Sequence, residues 1–189
     1  MKGASLTIAL LAIAAISFAQ SVFSNKTNTT LEKVIQDFPN RFKNIRGPVI
    51  VDNPQTTEYR STVQIPGSDS CTVTRYNSPK NDVYSWTCLV FENDDFDQVK
   101  AKFKELFSQI KNSIVKIGGS RPYILTGQYV DPDEAKKFTT ILFELLPPPG
   151  DMKDLRVDLS MQYIITGWKV SLSVYDGLKE SEKREITSN

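Results

Sequence analysis

The chain of 189 residues contains 23 Lys and Arg, 22 Asp and Glu, and no His. Without His, the chain has neither Ser-His-Asp nor Cys-His catalytic groups and no His-containing metal site. The balanced charge, with no dense run of Lys or Arg, also argues against a nucleic acid as the partner, because phosphate binding needs a concentrated basic surface.

Residues 1–19 have the pattern of an export signal. Lys2 precedes an apolar run, and small residues lie at the end of the segment, where a signal peptidase would cleave after Ala19. An uncleaved membrane anchor, the alternative, needs a longer apolar stretch. We therefore expect residues 20–189 to form one domain, exported to the periplasm or the extracellular space and without a membrane span.

The first predicted helix begins near Thr30, after a polar segment. Thr29 and Glu32 have the spacing of a capping box, and the apolar residues that follow recur at helical intervals. Pro39 lacks a backbone N–H, so we expect the helix to kink or restart there. Gly47, which is followed by a proline, is the predicted end of the helix.

Three strands are predicted next, because apolar and polar residues alternate over 59–65, 71–76 and 84–91. One face of these strands is apolar and the other is mostly polar, as in an antiparallel sheet with one solvated side. Cys71 and Cys88 lie on the apolar face. We expect a disulfide between them in an oxidising compartment, and two buried thiols are the alternative.

The second half of the chain repeats this pattern. A helix is predicted from Asn93 or Asp94 to Gly119, with acidic residues in its first turn. Apolar residues then alternate on three more strands. These strands contain residues 141–145, 155–163 and 168–174.

The two halves align with each other. The apolar residues of 31–47 match those of 103–119, and the strand at 84–92 matches the strand at 168–176. We therefore predict a duplicated α-β-β-β unit, although two unrelated helix-and-meander segments can align by pattern alone. The predicted copies and the charged tail are residues 29–92, 93–176 and 177–189.

Whether the two halves are duplicated or only similar by chance, the elements predict the same fold class, α+β. The predicted elements form one mainly antiparallel sheet of about six strands, with both helices on its apolar face. Such an arrangement buries the apolar faces of the helices and strands against one another. The opposite face of the sheet, rich in Thr, Ser and charged residues, is then open to solvent or to a partner.

Two segments resemble a known group of proteins. The leader ends in SFAQ at residues 17–20, which resembles export signals of Bacteroidota, and DFPNRFKNIRG at residues 37–47, followed by the paired-Cys strands, resembles small exported bacterial proteins of uncharacterised function. The resemblance implies no activity. Asn25 and Asn28 begin glycosylation sequons, which matter only in a eukaryotic host, and the leader favours a bacterium.

Carboxylates are the remaining candidates for catalysis. Asp94, Asp95 and Asp97 precede the second helix, where capping and the helix dipole explain them. Glu144 lies among apolar residues of a strand but on the solvated face. A glycosidase needs two carboxylates across a cleft, and the sequence places no such pair. We predict no catalytic, cofactor-binding or metal-binding residue. A further group of acidic residues was considered for cation binding, and the sequence does not indicate that its members come together: Asp151, Asp154 and Asp158.

Apolar side chains on the open face of the sheet suggest a contact surface. An exposed cluster of this kind marks a binding site. Alternatively, these residues shield the sheet edges or lie under the N-terminal segment. The predicted contact residues are Tyr76, Leu89, Phe91, Ile164 and Tyr175.

These observations favour an exported non-enzymatic protein. It would bind an unknown protein partner, or a second copy of itself, through the open sheet face or the groove between the repeats. The alternative is a carrier that holds a small apolar ligand between helices and sheet. Trp86, Trp168, Phe103 and Phe107 favour a carrier, although ordinary cores use the same residues. A secreted hydrolase that uses carboxylates is the third hypothesis.

Overall fold

The computed structural model describes residues 25–77, 81–119, 122–165 and 167–177. The predicted signal segment lies outside the described residues. The predicted tail also lies outside them, except for its first residue. The described chain has an α+β fold with two α-helices on one face of a single antiparallel sheet. In this respect the predicted fold class is confirmed.

Helix α1 spans Lys26–Asp37 and begins earlier than predicted. Asn25 is its N-cap, because the side-chain oxygen of Asn25 accepts a hydrogen bond from the Asn28 N–H at 3.3 Å. The predicted start at Thr30 was wrong. An Asn cap satisfies a free amide of the first helical turn just as the predicted capping box would, so the helix can begin earlier.

The predicted continuation of α1 to Gly47 was also wrong. The helix ends at Asp37, and two 3₁₀ turns follow, Phe38–Asn40 and Lys43–Ile45. Pro39 favours this ending, because it has no N–H to continue the helical hydrogen bonds. The chain then enters a strand instead of resuming the helix.

Helix α2 spans Phe96–Ile110, and Asp95 is its N-cap. The Asp95 carboxylate accepts hydrogen bonds from the N–H groups of Asp97 and Gln98 at 2.9 and 3.2 Å. The predicted end at Gly119 was wrong. Asn112 adopts a positive φ of 66°, which turns the chain away from the helix axis.

Nine strands are present in the described residues, instead of the predicted six. The segments that follow each helix form additional strands at the two edges of the sheet, where sequence alternation is short or absent. The spatial order is β1-β2-β3-β4-β9-β8-β7-β6-β5, and all neighbours are antiparallel. The strands are β1 Arg46–Asp52, β2 Thr56–Ser61, β3 Ser70–Tyr76, β4 Val83–Asn93, β5 Ile114–Val115, β6 Tyr123–Thr126, β7 Phe138–Leu146, β8 Leu155–Ile164 and β9 Gly167–Asp176.

The two halves of the chain meet at the centre of the sheet. β4, the last strand of the first half, pairs with β9, the last strand of the second half, so that Cys88 lies opposite Leu172 and Trp86 opposite Val174. From this pair, each half runs outward as a meander. The sheet order agrees with a duplicated unit, and the duplication itself stays a prediction.

The apolar sheet face and the helices form the core. Trp86 is fully buried, and its Nε1–H donates a hydrogen bond to the Ser61 hydroxyl at 3.0 Å. Cys71 and Cys88 lie directly opposite each other on β3 and β4 and form a disulfide, which confirms that prediction. In the part of the chain that the structure describes, no helix is long and apolar enough to cross a membrane.

Candidate functional site

A pocket of about 320 Å³ lies at the end of the sheet where β4 begins and β9 ends. This volume falls at the lower end of the range of small-ligand pockets, about 300–1,000 Å³. We name it the junction pocket, because residues of both halves line it. The first half contributes Phe38, Arg41, Phe42, Asp82 and Tyr84, and the second half contributes Met152, Asp154 and Asp176.

The turn after α1 forms one wall of the junction pocket and is held by a buried carboxylate. Asp37 accepts hydrogen bonds from the side-chain amides of Asn40 and Asn44 at 3.0 and 2.6 Å. It also accepts one from the Asn44 backbone N–H at 2.9 Å. Because one side chain bonds both residues, the carboxylate fixes the path of the whole turn.

Two residues of this turn have left-handed backbone conformations. Arg41 and Phe42 have φ values of 54° and 55°, which are uncommon for residues other than glycine and cost free energy. The Phe42 side chain is fully buried and contacts the Phe38 ring edge-on, at 5.9 Å between centroids. This burial offsets the cost, so that Arg41, which is exposed, is held at the pocket.

The aromatic wall of the pocket already contacts cations. The Arg41 guanidinium lies 6.0 Å from the centroid of the Tyr84 ring, and the Arg46 guanidinium lies 5.1 Å from it. Arg46 also lies 5.3 Å from the ring of Tyr59. A separation of about 6 Å or less allows the negative face of an aromatic ring to attract a cation. The Tyr84 ring is therefore already in contact with two cations of the chain itself.

The opposite side of the pocket is acidic. Asp154 lies immediately before β8, and its carbonyl oxygen accepts a hydrogen bond from the Gly177 N–H at 2.6 Å. Asp176 is the last residue of β9, and the adjoining Met152 is buried in the core. Among the lining residues that the structure describes, Asp82, Asp154 and Asp176 carry carboxylates and Arg41 carries a guanidinium. Within the described residues, no group of His, Cys, Asp and Glu is arranged to hold a metal ion.

A second depression, of about 560 Å³, lies between the start of α1 and the end of α2. Several of its polar groups are already bonded within the chain. The Asn25 side-chain amide donates to the Gln109 carbonyl oxygen at 2.8 Å, and the Thr27 hydroxyl donates to the Gln109 side chain at 2.7 Å. These bonds join the two helices, so a structural role explains them.

The structure does not bring the five predicted contact residues together. Tyr76 lies at the end of β3 and Ile164 at the end of β8, and both are exposed. Leu89 and Tyr175 are half-buried on the central strands. Phe91 packs against the core, next to a β-bulge of β4 that interrupts the alternation between Leu89 and Phe91.

The centre of the open sheet face is polar. The hydroxyl oxygens of Thr87 and Ser173 lie 3.1 Å apart, and Tyr175 forms a hydrogen bond with Asp158. Burial raises the pKa of Asp158, and the hydrogen bond from Tyr175 counteracts this in part. Burial also raises the pKa of Tyr175, as does the nearby negative charge of Asp158. The described side chains at the centre of this face therefore bond to one another instead of forming an apolar patch.

One apolar surface at the edge of the sheet was not predicted from the sequence. Ile114, Ile124 and Leu146 lie in register on β5, β6 and β7 and are 60%, 44% and 46% exposed. Ile114 was predicted to lie on the apolar stripe of the second helix. Its actual place on an edge strand follows from the early end of α2, which the positive φ of Asn112 produces.

The carboxylates considered as catalytic candidates have different roles. Asp95 is the N-cap of α2, and its hydrogen bonds with Gln98 and Asp97 hold its pKa below its usual value. Glu144 is exposed on β7. Asp154 was considered only as part of a loose acidic group, and it lines the junction pocket.

No protein-family model, no curated protein and no solved structure matches this chain. The resemblance to small exported proteins of Bacteroidota therefore stays a prediction.

Proposed function

We propose that this chain is an exported, non-enzymatic binding protein whose ligand enters the junction pocket. One observation carries the proposal: residues of both halves converge on a concave site that combines aromatic walls with charged groups. Pockets with these features are the usual sites of ligand recognition. The buried Asp37 and Phe42 hold one wall in place, as binding sites require.

The junction pocket is a better candidate than the open sheet face. The five apolar residues predicted for that face are distributed over several strands, and the centre of the face is polar. A polar surface gains little from excluding water, whereas a pocket can surround a ligand group. Residues of both halves line the junction pocket, which supports the other part of the prediction, a groove between the halves as the binding site.

Two finer proposals belong with this function. We propose that the halves are copies of one unit, which is supported by the outward meander of each half from β4 and β9. We also propose that residues 1–19 direct export, which is supported by the disulfide between Cys71 and Cys88, since such bonds persist in oxidising compartments.

The carrier hypothesis is less well supported. Trp86 and Phe103 are fully buried, and Trp168 and Phe107 are nearly so. Their rings have partners, since Trp168 lies 5.0 Å from the ring of Phe96 and Phe107 lies 5.8 Å from that of Phe143. These contacts are typical of an ordinary packed core.

Native mass spectrometry of the mature protein from its own host tests the proposal. Asn81 lines the pocket and is exposed, so Asn81→Trp should block it with little effect on folding. Gln128→Trp, on the exposed connection between β6 and β7, is the matched control. We expect a bound mass in the wild type and in Gln128→Trp that disappears on denaturation and is missing from Asn81→Trp.

Two results would contradict the proposal. The first is a bound mass that Asn81→Trp retains as well as the wild type does. The second is hydrolytic turnover that Asp154→Asn abolishes, since the carboxylate-based hydrolase would then be the correct function.

A further inference from the structure

The open face of the sheet is apolar over the strands β5, β6 and β7. Along β7, buried and exposed side chains alternate, and the buried ones face the helices, as the contact of Phe143 with the ring of Phe107 demonstrates. The exposed ones are therefore on the open face. Five large apolar residues on this part of the face are each between 43% and 60% exposed. We name them the β7 face: Ile114, Ile124, Phe138, Leu142 and Leu146.

Strand pairing places these five side chains on the same side of the sheet. Ile114 lies opposite Ile124, and Ile124 lies opposite Leu146, so an apolar row crosses the three strands. Leu142 and Phe138 follow from Leu146 along β7 at intervals of four residues. Because side chains alternate along a strand, they share the side of Leu146. The β7 face is therefore a row across the sheet joined to a stripe along one strand.

The area of the β7 face agrees with what a dimer of two copies needs. A large apolar residue has on the order of 200 Å² of accessible surface, so five that are about half exposed present roughly 500 Å² in each copy. Two copies packed face to face would bury roughly twice that area, and about 1,000 Å² is the lower limit for a specific protein interface. Thr140 and Glu144, which lie between the apolar residues of β7, add to the buried surface.

The one charge on β7 indicates what kind of partner covers the face. Of the nine residues of β7, Glu144 alone is charged, and it lies between Leu142 and Leu146 on the exposed side. A carboxylate in hydrocarbon is costly, which disfavours a lipid bilayer as the partner. A protein interface has a wet, polar rim that accommodates such a group. The partner is therefore a protein surface.

The shape of the β7 face favours a second copy of this chain as that protein. Two sheets pack well face to face, at a distance of about 10 Å, and a second copy supplies a sheet face of the same kind. The centre of the open face is not an apolar match, since Thr87 and Ser173 place hydroxyl groups there. The β7 face of the second copy is such a match. A contact of like with like is isologous and closes as a two-fold dimer.

We infer that two copies of this chain associate through their β7 faces and form an isologous dimer. The inference goes beyond the proposed function, which concerns the junction pocket at the start of β4 and the end of β9. It assigns a partner to the apolar side chains that packing within one copy leaves exposed.

Sedimentation equilibrium of the mature protein tests the inference. We expect a reversible monomer–dimer equilibrium with a Kd of about 10 μM, because the apolar area is at the lower limit for a specific interface. Leu146→Lys and Phe138→Lys should each weaken the dimer by about tenfold or more, because each places an ammonium group against an apolar counterpart. Ile50→Lys on β1 is the matched control, since Ile50 is 48% exposed and Leu146 is 46% exposed. This control should stay within about twofold of the wild type.

A mixed sample of isotope-labelled and unlabelled copies identifies the surfaces that meet. Isotope-filtered NOEs should join the methyl groups of Ile124, Leu142 and Leu146 in one copy to the same groups in the other. Thermal unfolding midpoints at a concentration where every variant is monomeric establish that each is folded, because dimer formation itself raises the midpoint. Leu146→Lys should still retain the bound mass expected for the junction pocket, so failure of the dimer and failure of the proposed function are separate results.

Three results would overturn the inference. The first is a wild type that stays monomeric at about 100 μM, well above the expected Kd. The second is a dimer that neither Leu146→Lys nor Phe138→Lys weakens, or that Ile50→Lys dissociates, since the interface would then lie elsewhere. The third is flotation of the protein with vesicles of phosphatidylcholine and phosphatidylglycerol that Leu146→Lys abolishes, which would assign the β7 face to a lipid surface.

Discussion

Asp37→Ala should destabilise the protein by removing the carboxylate that holds the turn after α1. Three hydrogen bonds end on this carboxylate, two from Asn44 and one from Asn40. Each contributes about 1 kcal/mol net, but the exposed Asn side chains regain water when the bonds are lost. We therefore expect the free energy of unfolding to fall by about 2 kcal/mol.

Urea denaturation followed by tryptophan fluorescence measures this change. The slope of the unfolding free energy against urea concentration should stay constant, since the variant exposes the same surface on unfolding. Asp69→Ala, at an exposed position just before β3, is the control and should cost less than about 0.5 kcal/mol. A loss below about 0.5 kcal/mol for Asp37→Ala would refute the reasoning that this carboxylate organises the turn.

Three further predictions concern the sheet. The pKa of Asp158 in the folded protein is raised above the ordinary value of 3.8. The folded protein therefore keeps the Asp158 proton to a higher pH than the unfolded chain does. As a result, this group lowers the free energy of unfolding as pH rises from 3.8 through the raised pKa. Urea titrations from pH 3 to 7 should display this loss in the wild type and a smaller loss in Asp158→Asn; equal slopes would contradict it. Reduction of Cys71–Cys88 should lower the free energy of unfolding by about 3 kcal/mol in the chain-entropy model, and equal urea midpoints with and without dithiothreitol would disprove this. Ser61→Ala deprives the buried Trp86 N–H of its acceptor and should cost about 1–3 kcal/mol by thermal unfolding, whereas an unchanged midpoint would mean that the N–H finds another partner.

The buried faces of the sheet could be predicted because alternation is a local signal. Trp86, Cys88 and Val90 are buried, and so are Val157 and Leu159, as their spacing indicated. Burial of one face imposes a period of two residues on a strand, and neighbouring sequence alone is enough to detect it.

The ends of the helices could not be predicted in the same way. Arg41, Phe42 and Asn112 adopt positive φ values, although none of them is glycine, and each turns the chain where the apolar period continues. Their conformations are stabilised by the buried Asp37 and by pairing with a later strand, as between Asn112 N–H and the Leu125 carbonyl oxygen at 2.8 Å. These are tertiary effects, which override the local pattern.

The junction pocket depends on topology in the same way. Arg41, Asp82, Asp154 and Asp176 are far apart in sequence and lie in turns or at strand ends. They converge because β4 pairs with β9, which the alternation does not specify. The acidic cap of α2 was easier to predict, since Asp95 and the residues it bonds are adjacent, whereas the Asn25 cap of α1 was missed.

The most direct test of the central claim is an amide NMR titration of the refolded mature protein with the molecule that denaturation releases from the protein purified from its own host. The account predicts saturable shifts that are largest at Tyr84, Asp154 and Asp176, which line the junction pocket. The amides of Thr87 and Ser171, at the centre of the open sheet face, should not move. Saturable shifts at those two residues, with none at the pocket, would contradict the account.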